Sequence, residues 1–236
     1  MPANGWQGYI TVQASYTDQQ GTDEKVLSSA TDKVVKITNP VTPGTDNMQG
    51  SKGDDVYVIN NRRNRITEDK KAGTDTVISS ITYVLGANLE NLMLSGKAAI
   101  IGTGNGLNNS LLGNVGANSL SGLAGDDLIF GSLGKDIFGF NTSLEISKGA
   151  SRDLITAFSH SQNDRIDLSG IDVNSNKAGN QVFSFIGSKA FDGKAGEINF
   201  INGILSGDLD GKNGADFEML ITLVGGNTLA NVDFVL

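Results

Sequence analysis

Several residue types are missing or scarce in this sequence, and each absence excludes a class of protein. The 236 residues include no cysteine, so disulfides and thiolate metal sites are excluded. With only 3 prolines, the chain cannot be collagen or a proline-rich linker. Its apolar runs, such as residues 217–224, are broken by polar residues and are far too short to span a bilayer. We also expect no cleavable signal peptide, because no charged segment precedes an apolar one at the start.

The single histidine, His160, restricts the catalytic chemistry that the chain can support. An H-E-x-x-H zinc protease needs two histidines, and Ser-His-Asp catalysis would have to use His160, which lies in a polar turn. The glycine-rich turns lack the following helix and the lysine of a nucleotide-binding loop. We therefore predict that this chain is not an enzyme.

Negative charge and glycine are both abundant. The formal net charge is −8, which argues against a nucleic-acid partner and favours a cation. The 31 glycines suit tightly turning β structure, because glycine adopts positive φ angles and lets backbones approach closely.

Residues 104–139 consist of four consecutive nine-residue units, GNGLNNSLL, GNVGANSLS, GLAGDDLIF and GSLGKDIFG. Every unit begins with glycine, has Asp or Asn at position six and has a large apolar residue at position eight. The position-six residues are Asn109, Asn118, Asp127 and Asp136, the position-eight residues are Leu111, Leu120, Ile129 and Phe138, and position four is Gly116, Gly125 and Gly134 in the last three units. A strict short period indicates a stack of repeated structural units.

The same phase occurs earlier in the chain. The units VTPGTDNMQ (41–49) and GSKGDDVYV (50–58) place Asp46 and Asp55 at position six. A half-unit, GTDTV, repeats the pattern once more with Asp75. Short β-rich runs at 56–59, 76–80, 83–85 and 92–94 are predicted to form further, irregular coils of the same structure.

The period predicts a six-residue turn followed by a three-residue strand with one inward apolar side chain. Two units complete one coil, so residues 18 apart stack at about 4.8 Å, with Asp127 above Asn109 and Asp136 above Asn118. Extending this stack downstream predicts Glu145 near Asp127, and Asp153 near Asp136. Stacked carboxylates and inward turn carbonyls are the hard oxygen ligands that Ca²⁺ prefers. We therefore predict metal ligands among the position-six residues of both blocks, Asp75, Glu145 and the position-four glycines Gly116, Gly125 and Gly134. The alternative is that the turns are simply turns and hold no ion.

These units resemble the RTX (repeats-in-toxin) calcium-binding nonapeptide, G-G-x-G-x-D-x-U-x. The resemblance implies an all-β fold, a right-handed parallel β-roll, together with export by type I secretion machinery and folding that waits for extracellular calcium. The second-position glycine of the pattern is absent, and Asn replaces Asp in the first two units. We therefore expect weak calcium binding, roughly in the 10⁻⁴–10⁻³ M range of extracellular modules.

Residues 150–236 resemble the C-terminal domain of serralysin-type proteases. The resemblance is carried by RDLITAFSHSQNDRIDLSGI (152–171), QVFSFIGSKAF (181–191), LSGDLDGKNGADFEMLI (205–221) and the final VDFVL. It implies metal-binding roles for Asp153 and Asp164 and an uncleaved secretion signal at the C-terminus. Alternating apolar residues predict a β-hairpin cap. Residues 208–219 depart from an EF-hand loop, with Met219 in place of its final Glu, so we predict a hairpin turn there.

The sequence thus predicts three regions. Residues 1–40 resemble the last strands of a bacterial immunoglobulin-like surface repeat, 41–149 form the roll, and 150–236 form the cap. Because so short an N-terminal remnant cannot complete a sandwich, we expect the chain to be the C-terminal part of a larger exported protein.

The predicted function is that of a non-catalytic calcium-binding module of a type I-secreted bacterial protein, secreted or on the cell surface. The alternative is a polysaccharide-binding or adhesin accessory module that resembles the R-modules of alginate epimerases. An anionic polysaccharide could contact the basic residues Arg62, Arg63, Arg65, Lys70 and Lys71. The simpler interpretation of these residues is a solvated turn that offsets nearby acids.

Overall fold

The structure, a computed structural model, describes residues 46–173, 181–212, 214–226 and 228–236, together with the backbone of three short strands nearer the start. These residues form 21 strands, labelled in chain order, and three short 3₁₀ helices. The strands are β1 (Ala14–Thr17), β2 (Asp23–Val26), β3 (Lys36–Ile37), β4 (Asn47–Gln49), β5 (Asp55–Ile59), β6 (Arg65–Thr67), β7 (Thr76–Ser79), β8 (Tyr83–Val84), β9 (Asn91–Leu94), β10 (Ile101–Thr103), β11 (Ser110–Leu112), β12 (Ser119–Ser121), β13 (Leu128–Phe130), β14 (Ile137–Gly139), β15 (Leu154–Phe158), β16 (Arg165–Asp167), β17 (Ser184–Phe185), β18 (Glu197–Ile201), β19 (Ile204–Asp208), β20 (Phe217–Leu223) and β21 (Phe234–Val235). The 3₁₀ helices are Ser143–Glu145, His160–Gln162 and Asn231–Asp233.

From β7 to β16, consecutive strands belong alternately to two sheets. The larger sheet has the order β17-β18-β19-β20-β15-β13-β11-β9-β7-β5-β3, and the smaller has the order β21-β16-β14-β12-β10-β8. Neighbours pair in parallel throughout the smaller sheet and from β3 to β15 in the larger one. Each coil therefore adds one strand to each sheet. The predicted all-β parallel roll is confirmed.

The nine-residue period sets the register at the centre of the roll. Strand β11 pairs with β13, and β12 with β14, at an offset of 18 residues. Each of the four units contributes one three-residue strand after a six-residue turn, as predicted. Earlier coils are irregular, since β7 and β9 are offset by 15 residues. The four β-rich runs predicted there form β5, β7, β8 and β9.

The core of the roll consists of single inward side chains stacked from coil to coil. In the larger sheet these paired residues are Tyr57, Val77, Leu92, Leu111, Ile129, Ile155 and Ile221, each at most 2% exposed. In the smaller sheet they are Leu120, Phe138, Ile166 and Phe234. Full burial of such a side chain contributes about 1.5–3 kcal/mol, so these rows are the main apolar stabilisation of the fold.

Antiparallel hairpins complete the larger sheet. Strands β18, β19 and β20 pair antiparallel in sequence, and β20 then lies parallel to β15. The hairpin cap and the hairpin turn after Asp208 are therefore present as predicted. The roll extends beyond the predicted bounds 41–149, because β3, β15 and β16 belong to its sheets. Within 1–40, β1 and β2 form an antiparallel pair, and most of the predicted immunoglobulin-like remnant lies outside the described residues.

Candidate metal centre

The position-six side chain of each nonapeptide folds back over the glycine that opens its own unit. Asp127 and Asp136 are 2% and 0% exposed. A methyl group at Gly122 would overlap Oδ2 of Asp127, and one at Gly131 would overlap Oδ2 of Asp136. Position one must therefore be glycine because the position-six oxygen occupies the space of a Cβ atom. The repeat is thus built around a buried side-chain oxygen in each turn.

The first of two polar columns runs along the edge where strands of the larger sheet begin. It contains Asp55, Asp75, Glu90, Asn109, Asp127 and Asp153. The N–H of Asn109 donates to Oδ1 of Asp127 at 2.7 Å, and the N–H of Asp127 donates to Oδ1 of Asp153 at 2.9 Å. Near the other end, the N–H of Asp55 donates to Oδ1 of Asp75 at 2.7 Å, and the N–H of Asp75 donates to Oε2 of Glu90 at 2.8 Å. Side-chain oxygens thus continue the backbone hydrogen bonding from coil to coil.

The second column runs along the opposite edge, where strands of the smaller sheet and of the β4–β6 pair begin. It contains Asp46, Asn64, Asn118, Asp136, Asp164 and Asp233. The N–H of Asn118 donates to Oδ1 of Asp136 at 2.8 Å, and the N–H of Asp136 donates to Oδ1 of Asp164 at 3.0 Å. The predicted positions of Asp127 above Asn109 and of Asp136 above Asn118 are confirmed.

The downstream pairing predicted from a constant spacing of 18 is wrong. Asp153 lies above Asp127 at a separation of 26 residues, and Asp164 lies above Asp136 at a separation of 28. The reason is the longer connection after β14, which includes a 3₁₀ helix and lengthens the coil. Glu145 ends that helix, and its Oε2 accepts the N–H of Asn141 at 2.8 Å. It is close enough to Asp153 for its charge to raise the pKa of that carboxyl.

In the later coils of these columns, from Asn109 onward, three carboxylates each have one buried oxygen that has no hydrogen-bond partner among the described residues. These atoms are Oδ2 of Asp127, of Asp136 and of Asp153. Burial raises the pKa of Asp127 to about 6 and the pKa values of Asp136 and Asp153 to about 7. Asp164 differs, because its second oxygen accepts the N–H of Ser159 at 2.8 Å. Buried charges in proteins are normally paired or coordinate a metal. A cation with hard oxygen ligands, such as Ca²⁺, fits these oxygens.

In the first two units, 104–121, the position-six side chains form hydrogen bonds with neighbouring backbone groups of the protein. The Nδ2 group of Asn109 donates to the carbonyl oxygens of Leu89 and Glu90, both at 3.2 Å, and its Oδ1 accepts the N–H of Asn105 at 2.7 Å. In the same way, Nδ2 of Asn118 donates to the carbonyl of Ile100 at 3.2 Å. Both amides are occupied by neighbouring groups of the protein.

Position two of these two units is also asparagine, and its amide closes the turn. The Nδ2 of Asn105 donates to the carbonyls of Gly86 and Leu89 at 2.7 and 2.8 Å. The Nδ2 of Asn114 donates to those of Ser95 and Ala98 at 3.1 and 3.0 Å. These amides thus take up turn carbonyls of the preceding coil. The sequence analysis noted only that position two lacks the glycine of the pattern.

In the third and fourth units, position two is Leu123 and Ser132, which have positive φ angles of 69° and 75°. Position four of the last three units brings successive turns together. A methyl group at Gly134 would lie 2.5 Å from the carbonyl oxygen of Gly116, and one at Gly125 would overlap that of Leu107. The glycines predicted as carbonyl ligands therefore lie in turn-to-turn contact, and their role in binding metal stays a prediction.

A further acidic cluster lies near the start of the first column. Ligand-capable oxygens of Asp55, Glu68 and Asp75 lie within 4.8 Å of one another, and all three residues are buried. Burial raises the pKa of Asp75 to about 6. Asp46, predicted as a ligand in the same phase, starts the second column on the other edge. The sequence analysis missed Glu68, although it lies 18 residues after Gly50, the glycine that opens its unit.

The five basic residues predicted as a polysaccharide contact lie in two groups on either side of strand β6, and their contact with a polysaccharide stays a prediction. Arg62 and Arg63 lie in the turn before β6, and Arg65 starts that strand, whereas Lys70 and Lys71 lie in the turn that follows it. A three-residue strand spans about 10 Å, so the two groups lie at opposite ends of β6. All five side chains are exposed, as expected for solvated turns.

Two other polar groups have clear structural partners. His160, with a side chain 61% exposed, lies 2.5 Å from Oδ1 of the buried Asp233 through its Nδ1 atom. Asp208 and Asp216 accept backbone N–H groups within the β19–β20 turn. This turn also brings Asp208, Asp210 and Asp216 close together. Its hydrogen bonds are those of a hairpin connection, in line with the sequence prediction.

Comparison with known protein families agrees with this architecture. The family described as Peptidase M10 serralysin C terminal matches residues 12–236, nearly the whole chain. The chain belongs to this family. The serralysin C-terminal family is the non-catalytic, calcium-binding β-roll domain of secreted bacterial proteins. The predicted relationship to serralysin-type C-terminal domains is therefore confirmed. No helix in the described part of this family member is long and apolar enough to span a membrane.

A curated protein also shows local similarity to this serralysin C-terminal domain. The endo-1,3-1,4-beta-glycanase EglC of Rhizobium meliloti (strain 1021) is 38% identical over 66 residues. The match covers 28% of this chain and 14% of EglC, so the chain corresponds to a small part of that protein.

Proposed function

We propose that the chain is a calcium-dependent folding module that stays unfolded at low calcium and folds outside the cell. One observation carries the proposal: the fold buries unpartnered oxygens of Asp127, Asp136 and Asp153. Leaving such groups ionised and unpaired is strongly unfavourable, so the folded roll requires either protons or cations at these positions. Extracellular calcium meets that requirement at neutral pH.

The proposed sites are formed by aspartates of successive coils that stack in one column. In each carboxylate, Oδ1 is fixed by a backbone N–H of the coil before it, and the other oxygen is left for a ligand. Without a cation, two ionised carboxylates this close repel by up to ~4 kcal/mol near a protein surface. Bound Ca²⁺ supplies the positive charge that offsets this repulsion. The aspartates therefore favour the folded state only when calcium is present.

The linkage between calcium binding and folding determines by how much calcium stabilises the roll. A ligand that binds only the folded roll stabilises it by RT ln(1 + [Ca²⁺]/Kd), which is about 2.7 kcal/mol per site at a hundredfold excess over Kd. Two or more such sites are comparable to the whole stability of an ordinary domain, about 5–15 kcal/mol. A calcium difference between cytosol and exterior is thus sufficient to control folding.

The set of proposed metal ligands is smaller than the set predicted from the sequence. We assign the main binding to Asp127, Asp136 and Asp153, with Asp164 as a weaker ligand because both of its oxygens already accept backbone N–H groups, and with Glu145 contributing charge beside Asp153. Asn109 and Asn118 act instead through their amide hydrogen bonds to the coil before them. Turn carbonyls such as those of Gly116, Gly125 and Gly134 are the neutral oxygens that complete a hard-ligand set.

Export by a type I secretion system is part of the proposal. It is supported by membership of a family of secreted proteins and by the acidic-then-apolar end, Asp233 to Leu236. The alternative, a polysaccharide-binding or adhesin accessory module, is supported by the glycanase match. We rank it second because the basic residues are divided between the two ends of β6.

The test is a far-UV circular dichroism titration with CaCl₂ after removal of metal by EDTA, on the full chain. We expect a saturable gain of β signal whose midpoint rises at least tenfold in Asp127→Ala/Asp136→Ala. The matched control is Leu133→Ala, which alters an exposed side chain in the same block of nonapeptides and should leave the calcium midpoint unchanged. A spectrum that is β-rich in EDTA and does not respond to calcium would contradict the proposal.

A further inference from the structure

A cluster at the start of the roll differs in design from the nonapeptide turns. Asp55 opens β5, Asp75 directly precedes β7, and Glu68 directly follows β6. The three residues are 1%, 1% and 8% exposed. Glu68 lies 18 residues after Gly50, one coil later in the chain. It therefore occupies the place of the glycine that opens a nonapeptide. A side chain at Gly50 would overlap the Glu68 carboxylate, so Gly50 leaves the space that this third acid occupies.

Each carboxylate of the cluster is held by a donor on one side. Oδ2 of Asp55 accepts the N–H and the hydroxyl of Ser51 at 2.7 and 2.9 Å. Oδ1 of Asp75 accepts the N–H of Asp55. Oε2 of Glu68 accepts the hydroxyl of Tyr57, and its Oε1 accepts the N–H of Asp69 at 3.1 Å. The three groups are therefore positioned rather than free to turn away from one another.

Two oxygens of this cluster remain buried without a partner, Oδ1 of Asp55 and Oδ2 of Asp75. No lysine or arginine among the described residues forms an ion pair with Asp55, Glu68 or Asp75. The cluster therefore combines three acidic groups, near-complete burial and unsatisfied acceptors, with no ion-paired base in the part of the chain that the structure describes.

We propose that Asp55, Glu68 and Asp75 form a separate calcium site, which fills at lower calcium than the sites of Asp127 to Asp164. Oxygens within 4.8 Å of one another match the 2.3–2.6 Å ligand distances around one Ca²⁺ ion. Affinity for calcium rises with the number of charged ligands, and this cluster has three carboxylates rather than a stacked pair. The site is independent of the proposed function, because Asp127 lies three coils away, about 14 Å along the roll.

Tyr57 makes this site observable on its own. Its hydroxyl donates to Glu68, so its ring lies next to the proposed ion and can transfer excitation energy to bound Tb³⁺, a luminescent hard cation of similar size. The experiment titrates the EDTA-stripped full chain with TbCl₃ while exciting tyrosine. We expect one saturable emission phase that CaCl₂ displaces and MgCl₂ does not, because Mg²⁺ demands a smaller octahedral site.

Substitutions test whether the Tb³⁺ emission comes from this site. Tyr57→Phe should abolish it while calcium binding, measured by titration calorimetry, is retained. Glu68→Gln and Asp75→Asn should each raise the TbCl₃ midpoint at least tenfold. At saturating CaCl₂, Glu68→Gln should keep the far-UV circular dichroism spectrum of the unsubstituted folded chain, so its effect on the TbCl₃ midpoint cannot be attributed to unfolding.

The control Asp127→Ala/Asp136→Ala separates this site from the proposed function. At TbCl₃ concentrations where circular dichroism shows this variant to be folded, the midpoint of the Tyr57-sensitised phase should be unchanged. Emission that persists in Tyr57→Phe, or a midpoint that Glu68→Gln does not move, would overturn the proposal. The cluster would then be a group of acids that share protons.

Discussion

The two halves of the nonapeptide block, residues 104–121 and 122–139, have the same length, the same strand positions and the same stacked core, but their turns are satisfied by different means. In the first half, which we call the Asn-lined turns, side-chain amides donate to carbonyls of the preceding coil. In the second half, the Asp-lined turns, carboxylate oxygens are buried without donors. One backbone architecture therefore accepts either an internal donor or an external cation.

The difference depends on two positions of the unit. Where position two is Asn105 or Asn114, its own N–H donates to the position-six oxygen and its amide donates to the coil before it. Where position two is Leu123 or Ser132, the backbone turns left-handed and offers no such amide. We infer that the Asn-lined turns are stable without calcium, whereas the Asp-lined turns depend on it.

The largest expected effect is the pH dependence of the calcium-free protein. The folded pKa values of Asp127, Asp136 and Asp153 are raised to about 6, 7 and 7 by burial, above the unfolded value of about 3.9. A raised carboxyl pKa stabilises the fold while the group is protonated, and this stability is lost as pH rises through the folded pKa. We expect the chain in EDTA to be folded near pH 5, where urea denaturation measures its stability, and to lose several kcal/mol of unfolding free energy toward pH 8, where its far-UV spectrum should become that of the unfolded chain.

Two controls connect this pH effect with the Asp-lined turns. Asp127→Asn/Asp136→Asn should flatten the slope, since those groups no longer titrate. Saturating calcium should remove most of the slope in the unsubstituted chain, because a bound cation keeps the carboxylates ionised. Stability in EDTA that stays constant or rises from pH 5 to pH 8 would contradict the assignment.

A smaller effect is expected from the glycines that define the Asp-lined turn. Gly125 has a φ of +134°, and a methyl group there would overlap the backbone carbonyl of Leu107. Gly125→Ala should therefore destabilise the calcium-bound protein by about 3 kcal/mol, measured by urea denaturation. The matched control is Gly106→Ala in the Asn-lined turns, where an added methyl group meets nothing within 4 Å. That control should change stability by less than about 0.5 kcal/mol, and equal losses in both variants would show that the contact between Gly125 and Leu107 is not what the substitution disrupts.

The smallest expected effect comes from exchanging one amide for a carboxylate. Asn105→Asp removes the donor to the carbonyls of Gly86 and Leu89 and places an oxygen against them instead. In EDTA, the unfolding free energy should fall by about 1–3 kcal/mol. Calcium should restore part of this loss, because the variant turn now carries a carboxylate beside turn carbonyls, which are hard oxygen ligands.

Asn108→Asp is the control for the added charge. Asn108 is exposed, and its Oδ1 accepts the N–H of Asp126 at 3.0 Å, a bond that aspartate can keep. We expect little change in stability and no new calcium response. If Asn105→Asp also behaves in this way, the Asn-lined turns do not depend on their amides.

The regular part of the fold could be predicted from the sequence because the repeat is local. Glycine at position one and the apolar residue at position eight determine the turn, the strand and the inward face within nine residues. The stack of Asp127 on Asn109 follows from two such units. The nine-residue period stops after β14. The longer connection that follows has no repeat, so the sequence does not show whether Asp153 or Asp164 belongs to the first or the second column.

The remaining errors have related causes. Glu68 was missed because the consensus expects glycine at its level, so a carboxylate there does not match the pattern. The amide role of Asn105 was missed because hydrogen bonds to the preceding coil depend on register, which a single unit does not contain. The basic residues were grouped by proximity in sequence, whereas the strand β6 sends them to opposite edges of the roll.

The constant offset of β10 to β14 also limits how the gene can change in length. An insertion or deletion of 18 residues within this block adds or removes one whole coil, and every later strand keeps its sheet and its column. A change of nine residues would exchange the two sheets for all later strands and would move Asp153 and Asp164 to opposite edges. An insertion of one residue within a strand would turn the later inward side chains of that strand toward solvent. Gains and losses in relatives of this block should therefore occur in steps of one coil.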